Sequence, residues 1–397
     1  MTFNIIIVLI SVLSLWFLLF NKATNNKLWR ATQTPLASII GSGFLIIGPI
    51  LQLSFGYLAP LAMLALCALA YAFGWAIRSN MNAIDNAQSD ILPNKNLEHI
   101  SSISLAFAFF VSVAYYLNLF GAFFVNLTPF NSSINAKIVT SIMLLIILAV
   151  GVLRGFTALE RLERYAVAIK LAIIASLLFA FMLFFQWKVA EGSLVTLPVK
   201  ISGLDAITLS LGLIVAVQGF ETSRYLGETY SATIRIRSMR LAQVISTLIY
   251  VLYVSLISYA FKASEIAVSE TAIIDLTRTV ASILPVLLVI AALSAQMSAA
   301  IADTSGAAGL IEELTRHKIK EKFGYVFVVV SGLVLTWTTD IFAIISFASR
   351  AFAAYYALQS FIALKNALRT QRYVAAAACL VLTLIGVAAV LFAAKVE

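Results

Sequence analysis

Pro35-Leu36-Ala37-Ser38-Ile39-Ile40-Gly41-Ser42-Gly43-Phe44-Leu45-Ile46-Ile47-Gly48-Pro49 lies within one apolar stretch, 35–54. Its length suits a bilayer-spanning helix, which needs about 20 apolar residues. Gly41-Ser42-Gly43 interrupts that helix near its middle, with Gly48-Pro49 beyond. A second stretch, 205–226, carries an interruption at the matching place, Gln218-Gly219-Phe220-Glu221. A break inside a membrane frees backbone N–H and C=O groups, which only a protein interior or a wet cavity can satisfy. Paired breaks in equivalent helices of two inverted halves point to the central site of a transporter. Close helix packing would also explain Gly41 and Gly43. The acid Glu221, beside the second break, favours the functional reading.

Outward from these two stretches the whole chain reads as membrane. Its 397 residues are 62% hydrophobic and 11% charged, whereas soluble domains carry about 25% charged residues. The expected spans are 3–20, 35–54, 55–78, 101–127, 137–153, 164–187, 205–226, 241–261, 280–304, 324–339, 341–364 and 373–394. The fold class is therefore an all-α membrane protein of about twelve transmembrane helices. It comprises a five-plus-five inverted repeat (35–187 and 205–365) with one extra helix at each end (3–20 and 373–394), in a single transport domain.

The net charge of +9 would suggest nucleic acid in a soluble protein. Here it is better explained by basic cytoplasmic loops, and no nucleic-acid partner is expected. Basic residues gather in alternate loops: Arg154, Arg161 and Arg164; Arg235, Arg237 and Arg240; Arg316, Lys318, Lys320 and Lys322; Lys365, Arg369 and Arg372. The positive-inside rule makes these loops cytoplasmic in a cell (inner) membrane protein and puts the N-terminus outside. Span 3–20 lacks a basic n-region and an A-x-A site, so it reads as a retained helix rather than a signal peptide. Cys67 and Cys379 lie in apolar runs, and His99 and His317 in polar loops, so neither a disulfide framework nor a metal or other cofactor is expected.

A charge inside a bilayer faces a partner or a wet cavity. Glu221, Lys170, Asp303 and Arg350 are such residues. Arg350 lies about nine residues into its span, or roughly 14 Å at helical rise. Each has a plainer alternative: Asp303 at the cytoplasmic mouth, Lys170 snorkelling to the interface, Arg350 tying a carbonyl. The expected substrate-binding residues are Ile40, Gly41, Ser42, Gly43, Tyr116, Gln218, Gly219, Phe220, Glu221 and Arg350. Because Tyr115 and Tyr116 adjoin, at most one of them faces inward.

Ile39-Ile40-Gly41-Ser42-Gly43-Phe44 resembles the G-x-G-I-F stretch in the first helix of amino acid–polyamine–organocation (APC) transporters. Gly219-Phe220-Glu221, followed by Glu228 and basic residues, resembles their sixth helix. Lys170 sits about two turns into the fifth core helix, where several proton-coupled members carry a lysine. The N-P-x-x-x-I-P signature is absent; Ser231-Ala232-Thr233-Ile234-Arg235 stands there. The extra leading helix, and the run from Leu288 to Glu313 with Met297-Ser298, resemble sodium/solute symporters.

The resemblance implies a LeuT-type fold and secondary transport of a small organic solute, an amino acid or related amine, by alternating access. It also implies an ion-coupling set of Lys170, Ser298 and Asp303, with the lysine ammonium standing where sodium-coupled members hold their cation. Protons are then the expected coupling ion. Open alternatives are a sodium/solute symporter-type carrier and a sensor that kept the fold. A membrane enzyme is disfavoured, because no span contains a histidine or a nearby second acid.

Overall fold

The computed structural model describes residues 2–21, 26–41, 43–85, 95–126, 128–154, 156–226, 230–266 and 272–394. Ser42 and Glu228 lie outside them. Among the described residues the chain is helical. In order run α1 (Thr2–Phe20), α2 (Lys27–Ile39), α3 (Gly43–Phe55), α4 (Ala59–Asp85), α5 (Lys95–Asn126), α6 (Ser133–Arg154), α7 (Phe156–Ala190) and α8 (Gly203–Gly212). There follow α9 (Ala232–Ser258), α10 (Ala272–Val280), α11 (Leu284–Leu314), α12 (Glu321–Thr338), α13 (Ile341–Arg369) and α14 (Tyr373–Phe392).

Ten helices among the described residues are long and apolar enough to cross a membrane; one of the ten is the continuous run Gly43–Ile84, which holds both α3 and α4. Separating α3, as the second half of a crossing begun by α2, and adding the interrupted α8 segment gives the twelve crossings expected.

The first interruption lies between Ile39, where α2 ends, and Gly43, where α3 begins. The second begins where α8 ends at Gly212. A short 3₁₀ turn, Ile214–Val217, leads to Gln218-Gly219, and another, Phe220–Tyr225, follows. Gly219 has φ +113°, a backbone state that side chains disfavour.

Each interruption leaves orphan carbonyls, and neighbouring helices answer them. Pro49 in α3 has no N–H to give Leu45. The Tyr253 hydroxyl of α9 donates to that Leu45 carbonyl instead, at 3.2 Å. Ser349 of α13 donates to the Gly212 carbonyl at 2.5 Å and accepts from the Val215 N–H at 3.4 Å.

Helix α1 packs along α7, tied by a hydrogen bond between Ser11 and Ser176 at 2.6 Å. Helix α14 packs along α13, and its end meets α8 through the Ala394 N–H on Thr208 O at 3.1 Å. The helices run past the apolar spans, most clearly at α2, α9 and α11. Hydropathy marks the bilayer, whereas the helix continues into the polar boundary. Helix α10 had no counterpart in the sequence reading: its nine residues, AIIDLTRTV, are amphipathic and too short to cross.

Candidate functional site at the two helix breaks

The two interruptions lie against each other. A Cβ built on Gly219 would come 2.5 Å from Ser38 Oγ and 2.6 Å from the Ile39 nitrogen. One on Gly43 would come 2.5 Å from Ala216 Cα. Gly43 thus serves close packing of one break on the other. Tyr250 of α9 joins both: its hydroxyl lies 2.9 Å from Ile39 O and 2.7 Å from Ala216 O.

Lys170 stands at the first break, fully buried. Its Nζ donates to Ala37 O at 2.6 Å, Ile40 O at 2.7 Å and Ser298 Oγ at 3.0 Å. An ammonium has three N–H donors and no acceptor, so these three oxygens match the charged form. Ser298 in turn donates to Ala295 O at 3.0 Å.

Asp303 or Ser298 was expected as the partner of Lys170; Ser298 is the one bonded to it, and the hydrogen bonds of Asp303 go elsewhere. Ser38 Oγ lies 3.2 Å from its Oδ1, and Ser112 of α5 meets its Oδ2. The helical period explains this. Ser298 faces α7, whereas Asp303, five residues on, is turned about 140° from it and faces α2 and α5. Asp303 is fully buried rather than at the mouth.

Glu221 sits on the second break. The Gly219 N–H donates to its Oε2 at 3.0 Å, and the Tyr356 hydroxyl donates to the same atom at 2.9 Å. Its Oε1 is buried and has no hydrogen-bond partner. The Oε1 of Gln218 is likewise free, while its Nε2 donates to the Tyr116 hydroxyl. Of the tyrosine pair, Tyr116 is the one beside the break, 3.2 Å from a Cβ built on Gly41. Phe220 stacks on Tyr356 at 5.2 Å with the rings 16° apart, and Phe73 on Tyr356 at 5.1 Å.

Arg350 does not join this group. It is exposed, and its Nη2 donates to Ala393 O at 3.0 Å. The inward position belongs to Ser349; the next residue on a helix projects about 100° away. No carboxyl-binding cation therefore comes from α13.

Sequence reasoning missed Ser112, Tyr250 and Glu163. Small hydroxyl residues and tyrosines in apolar helices carry no signal until their neighbours are known. Glu163, buried seven residues before Lys170, was hidden among the basic residues Arg161 and Arg164.

On the side bearing the basic loops a cavity of about 650 Å³ reaches inward, lined among others by Arg224, Tyr225, Ser305, Gly306, Gly309 and Glu313. Arg224 in that lining pairs with Glu98 at 2.5 Å. Gln359 adds a hydrogen bond to the same Glu98 oxygen at 3.2 Å.

Comparison with known proteins agrees with this architecture. A family model described as APC superfamily transporter matches residues 21–393. An uncharacterised protein of Aquifex aeolicus (strain VF5) is 39% identical over 359 residues, 89% of this chain and 87% of that protein. Among solved structures, Mhp1, a nucleobase-cation-symport-1 family transporter in a closed conformation with bromovinylhydantoin bound, aligns with a TM-score of 0.57. It is 14% identical and the alignment covers 92% of this chain and 90% of that one. At that identity the likeness speaks to the fold alone, which is LeuT-type.

Proposed function

Because the chain belongs to the APC superfamily of transporters, we propose that it is a proton-coupled secondary carrier of a small organic solute with an amino or N–H donor group, such as an amino acid or related amine. It works by alternating access between two inverted units, 35–187 and 205–365, with 3–20 and 373–394 as added helices. Its N-terminus is outside the cell membrane and its basic loops are inside.

The observation that carries this reading is the Lys170 ammonium held by Ala37 O, Ile40 O and Ser298 Oγ. Two carbonyls of a broken helix and a hydroxyl are hard oxygen donors of the kind that hold a small cation. With an ammonium already there, sodium has no vacancy to fill. When α2 swings away during the cycle the ammonium loses two of its three partners. Losing its proton then removes an uncompensated buried charge, which links the gradient to the motion.

For the solute, the free Oε1 atoms of Glu221 and Gln218 are two buried acceptors awaiting donors. Such atoms are destabilising while empty, and a solute N–H satisfies them. A second reading, a flat nitrogen heterocycle, is favoured by the parallel rings of Phe220, Tyr356 and Phe73 and by the hydantoin bound to Mhp1.

A thermal-shift panel of amino acids, amines and nucleobases, followed by uptake of each hit into proteoliposomes with and without a pH gradient, tests the proposal. Gradient-driven uptake of an amine or amino acid supports the first reading, and uptake of a heterocycle alone the second. A hit that binds and is never taken up would make the protein a sensor.

A further inference from the structure

Asp303 closes a chain of hydroxyl groups whose hydrogens can be counted. Ser38 Oγ donates to Asp303 Oδ1 at 3.2 Å. Asp303 Oδ2 meets Ser112 Oγ, and Ser112 Oγ lies 3.1 Å from the Phe109 carbonyl.

A serine hydroxyl has one hydrogen. If Asp303 is ionised, its charge is fully buried with no Lys170 donor on it, because those three go to Ala37 O, Ile40 O and Ser298 Oγ, and a buried charge without a counter-ion is costly. If Asp303 carries a proton on Oδ2, no buried charge remains and the same contacts are kept. Ser38 donates to Oδ1, the carboxyl O–H to Ser112, and Ser112 to Phe109 O.

We propose that Asp303 is a second proton-binding site, protonated in this closed arrangement, whose proton is carried with the solute and released on the side of the basic loops. This rests on the reading of the protein as a proton-coupled carrier. The release route is short. Gly306, one turn along α11, lines the cavity on that side, and the Phe109 ring packs against it, 2.9 Å from a Cβ built there. When α2 withdraws, Ser38 goes with it and water from this cavity reaches the carboxyl. Its O–H proton passes to water, leaving a carboxylate. The other ionisable groups around it are Lys170 and Glu163 on α7, Tyr116 on α5 and Glu221 on the turn Phe220–Tyr225. None of them makes the hydrogen bonds just counted to its two oxygens.

Two readouts test this on the full-length protein in liposomes. Asp303→Asn keeps the hydrogen-bond pattern, with the amide donating to Ser112 and accepting from Ser38, but cannot release a proton. The expected result is a proton-to-solute ratio lower by one, with solute counterflow retained. The infrared spectrum of the wild type should show a protonated-carboxyl C=O band that is missing from the variant. Should Asp303→Asn fail to fold, Ser38→Ala removes the donor to Oδ1 and should raise the frequency of that band. An unchanged ratio in Asp303→Asn, or no band lost and none shifted, overturns the proposal. A wild type that moves no proton with any solute would remove the carrier reading itself; it would be seen before any variant is made.

Discussion

Gly219 and Ser38 leave no room between them: a side chain on the glycine would come 2.5 Å from the serine hydroxyl, and the φ of +113° excludes one on backbone grounds as well. The two helix breaks therefore meet backbone to side chain at one point, which also holds Ser38, a donor to Asp303. Backbone strain of this kind costs roughly 1–3 kcal/mol, before the overlap is counted. Gly219→Ala is expected to lower thermal stability and abolish solute binding, read by melting of the purified protein with and without solute. Gly192→Ala also removes a positive-φ glycine, at φ +64°, but has nothing within 4 Å. It should lose some stability and keep binding.

Tyr250 ties Ile39 to Ala216 with one hydroxyl. Its single hydrogen is shared between the two carbonyls, and removing it leaves a buried acceptor unsatisfied, worth about 1–3 kcal/mol. Tyr250→Phe should reduce stability by about that amount and slow transport, because the broken helices no longer move as a unit. Tyr253→Phe, which frees only Leu45 O, should have the smaller effect on rate. Equal rates in the two variants would reject the clamp.

Much of this arrangement was legible beforehand, and the parts that were not share a physical cause. Helix breaks announce themselves through glycine and through Glu221, and Lys170 stands out because a charge in an apolar helix is expensive. Arg350 looked equivalent by the same argument. Its position along the helix was readable but not its direction, and the packing of α14 on α13 gave it the Ala393 carbonyl. Ser112 and Tyr250 gain meaning only from partners on other helices, a three-dimensional relation that one-dimensional hydropathy does not carry.

Glu221 offers a free carboxylate oxygen to the solute. Glu221→Gln keeps an oxygen to accept from the Gly219 N–H and from Tyr356 while removing the charge. For an amine or amino acid, affinity should fall by about tenfold or more, equivalent to about 1.4 kcal/mol, as measured by calorimetry. For a neutral heterocycle the change should be small, so the same variant separates the two solute classes.

Arg224, which lines the cavity on the basic side, pairs with Glu98, their side chains 11% and 17% exposed. The pair is partly buried, so removing one partner costs less than the roughly 3–5 kcal/mol of a fully buried pair. Arg224→Ala should therefore favour the arrangement open to that side, seen as faster thiol labelling of a cysteine placed at Gly309. Exchanging the two charges, with Arg224→Glu and Glu98→Arg together, should slow labelling again. Sidedness follows from the same chemistry: an impermeant reagent outside cells should label Ser132→Cys and spare Arg237→Cys, both at exposed positions.

The central claim is that the Lys170 ammonium does at the first helix break what a sodium ion would do. Uptake of a bound solute into sodium-free proteoliposomes under an inward proton gradient, compared for the wild type and Lys170→Met, tests it most directly. The wild type should transport without sodium, and Lys170→Met should lose gradient-driven uptake while still binding solute. A wild type that requires sodium, together with a Lys170→Met variant that transports normally, would contradict it.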